Sequence, residues 1–234
     1  MKLIFIHGSG SYGAIWRLQT DCFKDADALD LPGHPQGRLC GSVEEYVDWL
    51  HEYIRNKGYK DAVLAGHSLG GGIVLAYALK YPQDLKGIIT VGSGARLRVM
   101  PALLEAIRDK LDDTQGWLNE LVVPLYATID VSIRDMMLAK LAAIGPAAQL
   151  NDFLCCDKFD IMQHVSLIKV PALAIVGDND TMTPVKYSQY LVKNMPDCRM
   201  TLVEGATHLA FLEKPGEVNR AIQKFLKEIE SGDR

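Results

Sequence analysis

Residues 62–72 read Ala-Val-Leu-Ala-Gly-His-Ser-Leu-Gly-Gly-Gly, and this stretch decides the fold. Its first five residues have the continuous apolar character of a buried strand, and residues 69–81 predict a helix. Ser68 then stands at the tip of a sharp strand-to-helix turn, where the backbone must be strained. Gly66 and Gly70, two residues before and after the serine, have no side chains that would collide in such a turn.

The same alternation of short apolar runs and longer amphipathic runs continues on both sides of this turn. Continuously apolar strands that alternate with helices predict an α/β fold, with a mostly parallel central sheet and helices on both faces. The predicted strands cover residues 3–7, 27–31, 62–66, 85–91, 172–177 and 199–203, and the predicted helices cover residues 42–57, 69–81, 185–194 and 215–230.

Residues 95–163 interrupt this alternation. They are rich in Leu, Met and Ala at helical spacing and contain no convincing strand pattern. An all-helical insertion between two strands of such a sheet lies over its carboxyl edge, where ligands bind. We therefore predict a core of residues 1–94 and 164–234 with an inserted helical cap of residues 95–163. The alternative is a set of ordinary covering helices.

With their strand-turn-helix context, residues 66–71 resemble the nucleophile elbow of the α/β-hydrolase superfamily, in its capped, serine carboxylesterase-like branch. The resemblance covers nearly the whole chain, because three further motifs follow in the family's order. It implies that Ser68 is a nucleophile, and the helix start offers the backbone N–H of Leu69 to an oxyanion. One departure is visible. The two leading strands usual in the family are absent, so we expect a trimmed sheet.

The same resemblance selects the other members of a Ser-His-Asp triad. Among six histidines, His208 closes the segment Gly-Ala-Thr-His, which resembles the family's Gly-x-x-His motif after the last strand. Residues 177–184 resemble the pattern Gly-x-x-Asp-x-x-x-Pro and select Asp180. The neighbouring Asp178 is expected to stabilise the turn instead. Such a triad is needed because serine is a weak nucleophile without an oriented base.

The first predicted strand ends in His-Gly-Ser-Gly, which resembles the family's oxyanion loop. The backbone N–H of Ser9 is expected to complete an oxyanion hole with that of Leu69. The resemblance implies cleavage of small-molecule carboxylic esters through an acyl-enzyme, without a cofactor. Two alternatives stay open. One is a same-triad thioesterase or carbon–carbon bond hydrolase, and the other is a slow-turnover receptor, which an exposed apolar lid patch would favour.

Candidate pocket residues come from the cap. Met136 and Met137 are predicted to face the substrate from one cap helix, and Cys155 and Phe159 from a later cap segment. Each has a structural alternative, because a Met-rich stripe at helical spacing and a buried cysteine usually belong to a core. His34, in a segment that resembles the family's Asp-x-Pro-Gly-His, is interpreted as structural.

Composition limits the partners and the compartment. The formal net charge of −4 and the pI near 5.9 give neither a basic footprint for nucleic acid nor a polybasic membrane anchor. No run approaches the roughly 20 apolar residues of a membrane helix. The five cysteines form no C-x-x-C pair, and no acidic or His/Cys cluster has metal-ligand spacing. We therefore expect free thiols, no metal and a cytoplasmic location, and the oligomeric state is left open.

Overall fold

A single sheet of strands forms the frame of the molecule in the computed structural model, which describes residues 1–232. The strands are β1 (Lys2–Ile6), β2 (Asp27–Leu29), β3 (Ala62–His67), β4 (Leu85–Val91), β5 (Ala172–Gly177) and β6 (Cys198–Val203). They pair in the order β2-β1-β3-β4-β5-β6, and every pairing in this part of the chain is parallel. The predicted α/β architecture with a mostly parallel central sheet is confirmed.

Helices cover both faces of this sheet. They are α1 (Arg17–Thr20), α2 (Val43–Asn56), α3 (Leu69–Lys80), α4 (Pro101–Arg108), α5 (Thr114–Trp117), α6 (Val131–Lys158), α7 (Lys186–Asn194), α8 (Ala210–Glu213) and α9 (Pro215–Ser231). Because successive side chains of a strand point to opposite faces of the sheet, each central strand contributes side chains to two hydrophobic clusters. Phe5 and Ile89 pack in the cluster that contains α9, whereas Ile4 and Ile88 pack with α2 and α3. Burial of both faces explains why these strands are continuously apolar.

Helix α2 begins with a serine cap. The hydroxyl of Ser42 accepts a hydrogen bond from the N–H of Glu45 at 3.2 Å, and the Glu45 carboxylate accepts one from the N–H of Gly41 at 2.9 Å. These bonds satisfy backbone donors near a helix start that would otherwise lack a partner. The helix buries an apolar face that includes Tyr46 and Leu50.

The stretch between β4 and β5 is helical. It contains α4, α5, a π-helical turn at Leu118–Val122, a 3₁₀ turn at Val123–Tyr126, and α6. Helix α6 is interrupted at Gly145, whose φ of 81° and ψ of 170° are not helical, and Pro146 opens its second half. An isolated antiparallel bridge joins Arg96 to Asp160 where the stretch leaves and rejoins the core. We call residues 95–163 the cap segment.

None of the helices within residues 1–232 combines the length and the apolar character that crossing a bilayer requires.

Candidate active site

Ser68 stands between β3 and α3 in a backbone conformation that few residues adopt. Its φ is 51° and its ψ is −115°, and such strain persists only where surrounding contacts enforce it. A Cβ at Gly66 would lie 2.1 Å from the carbonyl oxygen of Gly70, and a Cβ at Gly70 would lie 2.4 Å from that of Ile6. Because these neighbours are backbone atoms that cannot move aside, the turn requires both glycines.

Hydrogen bonds from the adjacent strand hold this turn in place. The N–H of Ser68 donates to the carbonyl of Val91 at 3.0 Å, and the hydroxyl of Ser93 donates to the carbonyl of Ser68 at 2.7 Å. Ser68 is 8% exposed, and the exposed part lines a cleft. The turn therefore presents a hydroxyl at the carboxyl edge of the sheet, where open α/β sheets bind ligands.

His208 and Asp180 meet in the loops that follow β6 and β5. His208 Nδ1 lies 2.9 Å from Oδ2 of Asp180. Oδ1 of Asp180 accepts the backbone N–H groups of Met182 and Thr183 at 2.9 and 2.8 Å, and Oδ2 also accepts the Thr183 hydroxyl at 2.7 Å. The fixed carboxylate favours the proton on Nδ1 of His208, which leaves Nε2 able to act as a base. Asp178 is exposed, so the structure pairs the histidine with Asp180.

The pKa of Asp180 reflects these partners. Burial by itself would raise the pKa of this carboxyl group. The hydrogen bond and charge of His208, together with the donors of Thr183, outweigh burial and lower the pKa of Asp180 to about 2. The carboxylate is therefore ionised across the physiological range and can stabilise a protonated His208.

His67, the residue before Ser68, contacts the loop that contains His208. Its Nε2 lies 3.1 Å from the carbonyl oxygen of His208, and because that oxygen only accepts, Nε2 carries the proton. Burial and the neighbouring His208 lower the pKa of His67 well below its ordinary value, so its ring is neutral. The ring also packs on Phe211, with 4.8 Å between ring centroids. No motif in the sequence predicts this role for His67.

The loop after β1 lies opposite the start of α3. The backbone N–H of Leu31 donates to His7 Nε2 at 3.0 Å, so His7 carries its proton on Nδ1 and donates it to the carbonyl of Gly8 at 2.8 Å. Within residues 1–232, the backbone N–H groups of Ser9 and Leu69 donate no hydrogen bond. Neither N–H group therefore has an acceptor within this part of the chain, as an oxyanion role would require.

A carboxylate from the cap segment anchors this loop. Asp152, on the second half of α6, is fully buried and accepts three hydrogen bonds. They come from the N–H of Gly10 at 2.8 Å, from Nε2 of His34 at 2.8 Å and from the hydroxyl of Tyr46 at 2.7 Å. Burial alone would lower the pKa of His34, but the hydrogen bond and charge of Asp152 outweigh it and raise that pKa. The role of Asp152 could not be predicted from the sequence, because an aspartate in an amphipathic helix normally faces water.

Two cavities open onto Ser68, and the first also contains His208. We call this cavity, of about 320 Å³, the His208 arm. No Lys, Arg, Asp or Glu among the described residues lines it. Its other walls come from the oxyanion loop, the cap segment and the loops after β5 and β6; they include Ser9, Val122, Leu125, Tyr126, Leu141, Gln149, Asn179 and Thr207.

The second cavity has a volume of about 350 Å³ and is called the Leu103 arm. It shares Ser68, Phe153, Thr181 and Met182 with the His208 arm, so these four residues form the junction between the two cavities. Its remaining walls are Leu97, Arg98, Val99, Met100, Leu103, Cys156 and Thr183. Arg98 is the one charged side chain among the described residues that line this arm.

The structure corrects the four predicted pocket residues, none of which lines either arm. Met136 is 50% exposed, and Met137 is buried in a hydrophobic cluster. Cys155 points to the carbonyl of Cys40, and Phe159 packs where α3 has Gly72. On α6 the side chains of Phe153 and Cys156 face the cavities instead, because residues only one position apart differ by about 100° around a helix.

Comparison with known proteins identifies the family of the chain. The model of the alpha/beta hydrolase family matches residues 3–221, so the chain belongs to the alpha/beta hydrolase family.

The relatives it resembles are esterases and hydrolases. A pimeloyl-(acyl-carrier protein) methyl ester esterase of Aeromonas hydrophila is 25% identical over 96% of this chain and 94% of the relative. A hydrolase of Acinetobacter baylyi that acts on (E)-2-((N-methylformamido)methylene)succinate is 24% identical over 96% of this chain and 90% of the relative. A solved thermophilic esterase is 31% identical, with a TM-score of 0.82 over 97% of this chain and 90% of that one.

Proposed function

We propose that this protein is a serine esterase that cleaves carboxylic esters through an acyl-enzyme on Ser68. The observation that carries the proposal is the 2.9 Å contact between His208 Nδ1 and Asp180 beside a cleft that also contains Ser68. Among residues 1–232, no charged side chain lines the His208 arm to pair with an ionised group, so the ester is uncharged around its reacting carbonyl.

In the first half of the reaction, Oγ of Ser68 attacks the carbonyl carbon while Nε2 of His208 takes the hydroxyl proton. The carboxylate of Asp180 stabilises the imidazolium that results. The carbonyl oxygen becomes an oxyanion and accepts the N–H groups of Ser9 and Leu69. One such donor is worth about 3 kcal/mol of transition-state stabilisation.

In the second half, Nε2 of His208 returns the proton to the leaving alkoxide oxygen as the carbon–oxygen bond breaks. The acyl group is then held as an ester of Ser68. A water molecule gives its proton to His208 and attacks this ester, and collapse of the second tetrahedral intermediate releases the carboxylic acid and restores the Ser68 hydroxyl.

The test is intact-mass spectrometry after incubation with a fluorophosphonate, together with turnover of p-nitrophenyl acetate and butyrate. We expect one adduct on Ser68 in the wild type, and neither adduct nor turnover in Ser68→Ala. The surface substitution Ser166→Ala serves as a matched control and should behave as the wild type. Unchanged esterase activity in Ser68→Ala would refute the proposal.

Acyl thioesters and carbon–carbon bond substrates belong in the same assay, because the same triad cleaves them in other proteins. If one of these substrates is turned over at least tenfold faster than any oxygen ester, Ser68 remains the proposed nucleophile, and that substrate class replaces the ester as the proposed substrate.

A second candidate function is a small-molecule receptor of the same fold. Exposed large apolar side chains of the cap segment favour it, and these are Met100 (71% exposed), Leu111 (41%), Leu125 (41%), Val131 (58%) and Met136 (50%). Labelling of Ser68 without multiple turnover of any ester would support the receptor, and rapid multiple turnover would exclude it.

A further inference from the structure

The junction of the two arms at Ser68 allows the halves of an ester to be assigned to separate cavities. This inference rests on the proposed function. Four groups surround the reacting carbon in the tetrahedral intermediate: Oγ of Ser68, the oxyanion, the acyl chain and the leaving alkoxide. The oxyanion is directed toward the N–H groups of Ser9 and Leu69. The acyl chain and the leaving alkoxide then take the two remaining directions, and the two cavities at Ser68 can each hold one of them.

The proton transfer decides between the two cavities. Nε2 of His208 must reach the leaving oxygen to protonate it, within about 3 Å. His208 lines the first cavity and does not line the second. We propose that the leaving alcohol occupies the His208 arm and that the acyl chain occupies the Leu103 arm.

The chemistry of the walls fits this assignment. Leu97, Val99, Met100 and Leu103 give the Leu103 arm an apolar lining that suits an alkyl chain. The His208 arm contains amide and hydroxyl groups, and Gln149 is its clearest donor. Trp117 Nε1–H donates to Gln149 Oε1 at 2.6 Å, and because indole only donates, the amide N–H groups of Gln149 are left to serve other partners. The acyl half therefore contains an alkyl chain, whereas the alcohol half can contain a polar oxygen.

Matched leucine-to-tryptophan substitutions test the assignment. Leu103→Trp fills the Leu103 arm, and Leu125→Trp fills the His208 arm. Both side chains are partly exposed, so the larger ring can be accommodated without opening a core. Thermal unfolding of each variant checks that it is folded, and Val99→Phe provides a smaller obstruction of the Leu103 arm.

Two substrate series separate the halves of the ester. One varies the acyl chain from acetate to octanoate with p-nitrophenol as constant leaving group, and the other varies the alcohol of acetate esters from methyl to hexyl. We expect Leu103→Trp to lower the octanoate-to-acetate ratio of kcat/KM at least tenfold and Val99→Phe to lower it less. We expect Leu125→Trp to lower the hexyl-to-methyl ratio at least tenfold.

The assignment would be overturned if Leu125→Trp lowered the octanoate-to-acetate ratio of kcat/KM. It would also be overturned if both tryptophan variants lowered the ratio of the same substrate series. Labelling rates with methyl and octyl fluorophosphonates give an independent readout, because the alkyl group on phosphorus takes the place of the acyl chain. A wild-type protein that is neither labelled nor active would refute the proposed function itself. A labelled protein with the opposite chain-length pattern would refute only the assignment of the arms.

Discussion

At the scale of single residues, the division of roles between Asp180 and Asp178 is open to a direct test. Asp180→Asn replaces an acceptor by an amide that can donate to His208 Nδ1, which favours the tautomer with its proton on Nε2. Because that tautomer cannot accept the Ser68 proton, we expect kcat for p-nitrophenyl butyrate to fall by about 10³-fold or more.

The matched control is Asp178→Asn, which alters an exposed carboxylate two residues away and should leave the rate at the wild-type level. Wild-type activity in Asp180→Asn would show that this carboxylate does not orient the base.

His67 is a positioning residue that acts through the backbone of His208. His67→Ala removes the hydrogen bond to the His208 carbonyl and the ring contact below the loop. We expect kcat to fall about tenfold with little change in KM, because a misplaced base affects proton transfer more than binding. His67→Gln keeps an N–H donor and should recover part of the loss.

Rescue by His67→Gln distinguishes positioning from general damage. Equal losses of kcat in His67→Ala and His67→Gln would contradict a positioning role through the His208 carbonyl.

At the scale of elements, Asp152 connects the cap segment to the oxyanion loop. Asp152→Asn puts an NH₂ group among three donors, the N–H of Gly10, His34 Nε2–H and the Tyr46 hydroxyl. At least one donor then lacks an acceptor, which costs about 1–3 kcal/mol for a buried group. We expect a lower urea midpoint together with a lower kcat, since the loop that holds Ser9 loses an anchor.

Asp157→Asn is a useful comparison, because Asp157 lies on the same helix and also accepts a backbone N–H, that of Val99, but at an exposed position. Its effect on stability should be under 1 kcal/mol. Equal effects of the two substitutions would contradict a special role for Asp152.

The Leu103 arm leads to a second prediction at this scale. Arg98 is exposed and is the charged residue that lines this arm, so an acyl chain that ends in a carboxylate would meet a cation there. We expect mono-p-nitrophenyl esters of dicarboxylic acids to have a lower KM than monocarboxylic esters of equal length. An exposed pair contributes about 0.2–1 kcal/mol, which is a factor of about 1.4 to 5 in KM.

Arg98→Gln should abolish this preference, and so should 0.5 M NaCl, because exposed charges are screened by salt. Arg108→Gln, on the exposed face of α4, is the control. A preference that survives in Arg98→Gln would place the recognition of the anion elsewhere.

At the scale of the whole molecule, some features of the fold and the site could be predicted from the sequence and others could not. The parallel sheet and the Ser68 turn follow from local patterns, since apolar runs fix strands and glycines fix the turn. The contact of His208 with Asp180 was predicted only through the family resemblance, because 28 residues separate them. The cavity-lining residues of the cap segment were the hardest feature to predict. Which residues of a broken helix face a cavity depends on its rotation and on the kink at Gly145, and this is why Cys156 and Phe153, rather than Cys155 and Phe159, line the arms.

Acid stability is a property of the whole molecule that follows from its buried histidines. His7 accepts the N–H of Leu31 with Nε2 and donates with Nδ1, so only the neutral ring fits, and burial lowers the pKa of His7 to about 3. The unfolded chain takes up this proton below pH 6.5 and the native state does not, so the free energy of unfolding falls on acidification. His67 acts in the same direction, whereas His34, whose pKa is raised, opposes it.

From pH 7 to pH 5, His7 alone should lower the free energy of unfolding by about 2 kcal/mol. Urea unfolding at the two pH values measures the difference, and in His7→Asn the loss should be smaller by about that amount, whatever the stability of the variant at pH 7. A wild-type pH dependence in His7→Asn would show that His7 is not held neutral. A separate loss is expected from about pH 4 to pH 2, because the pKa of Asp180 is lowered to about 2, so its contribution is present above pH 4 and disappears as the carboxylate is protonated.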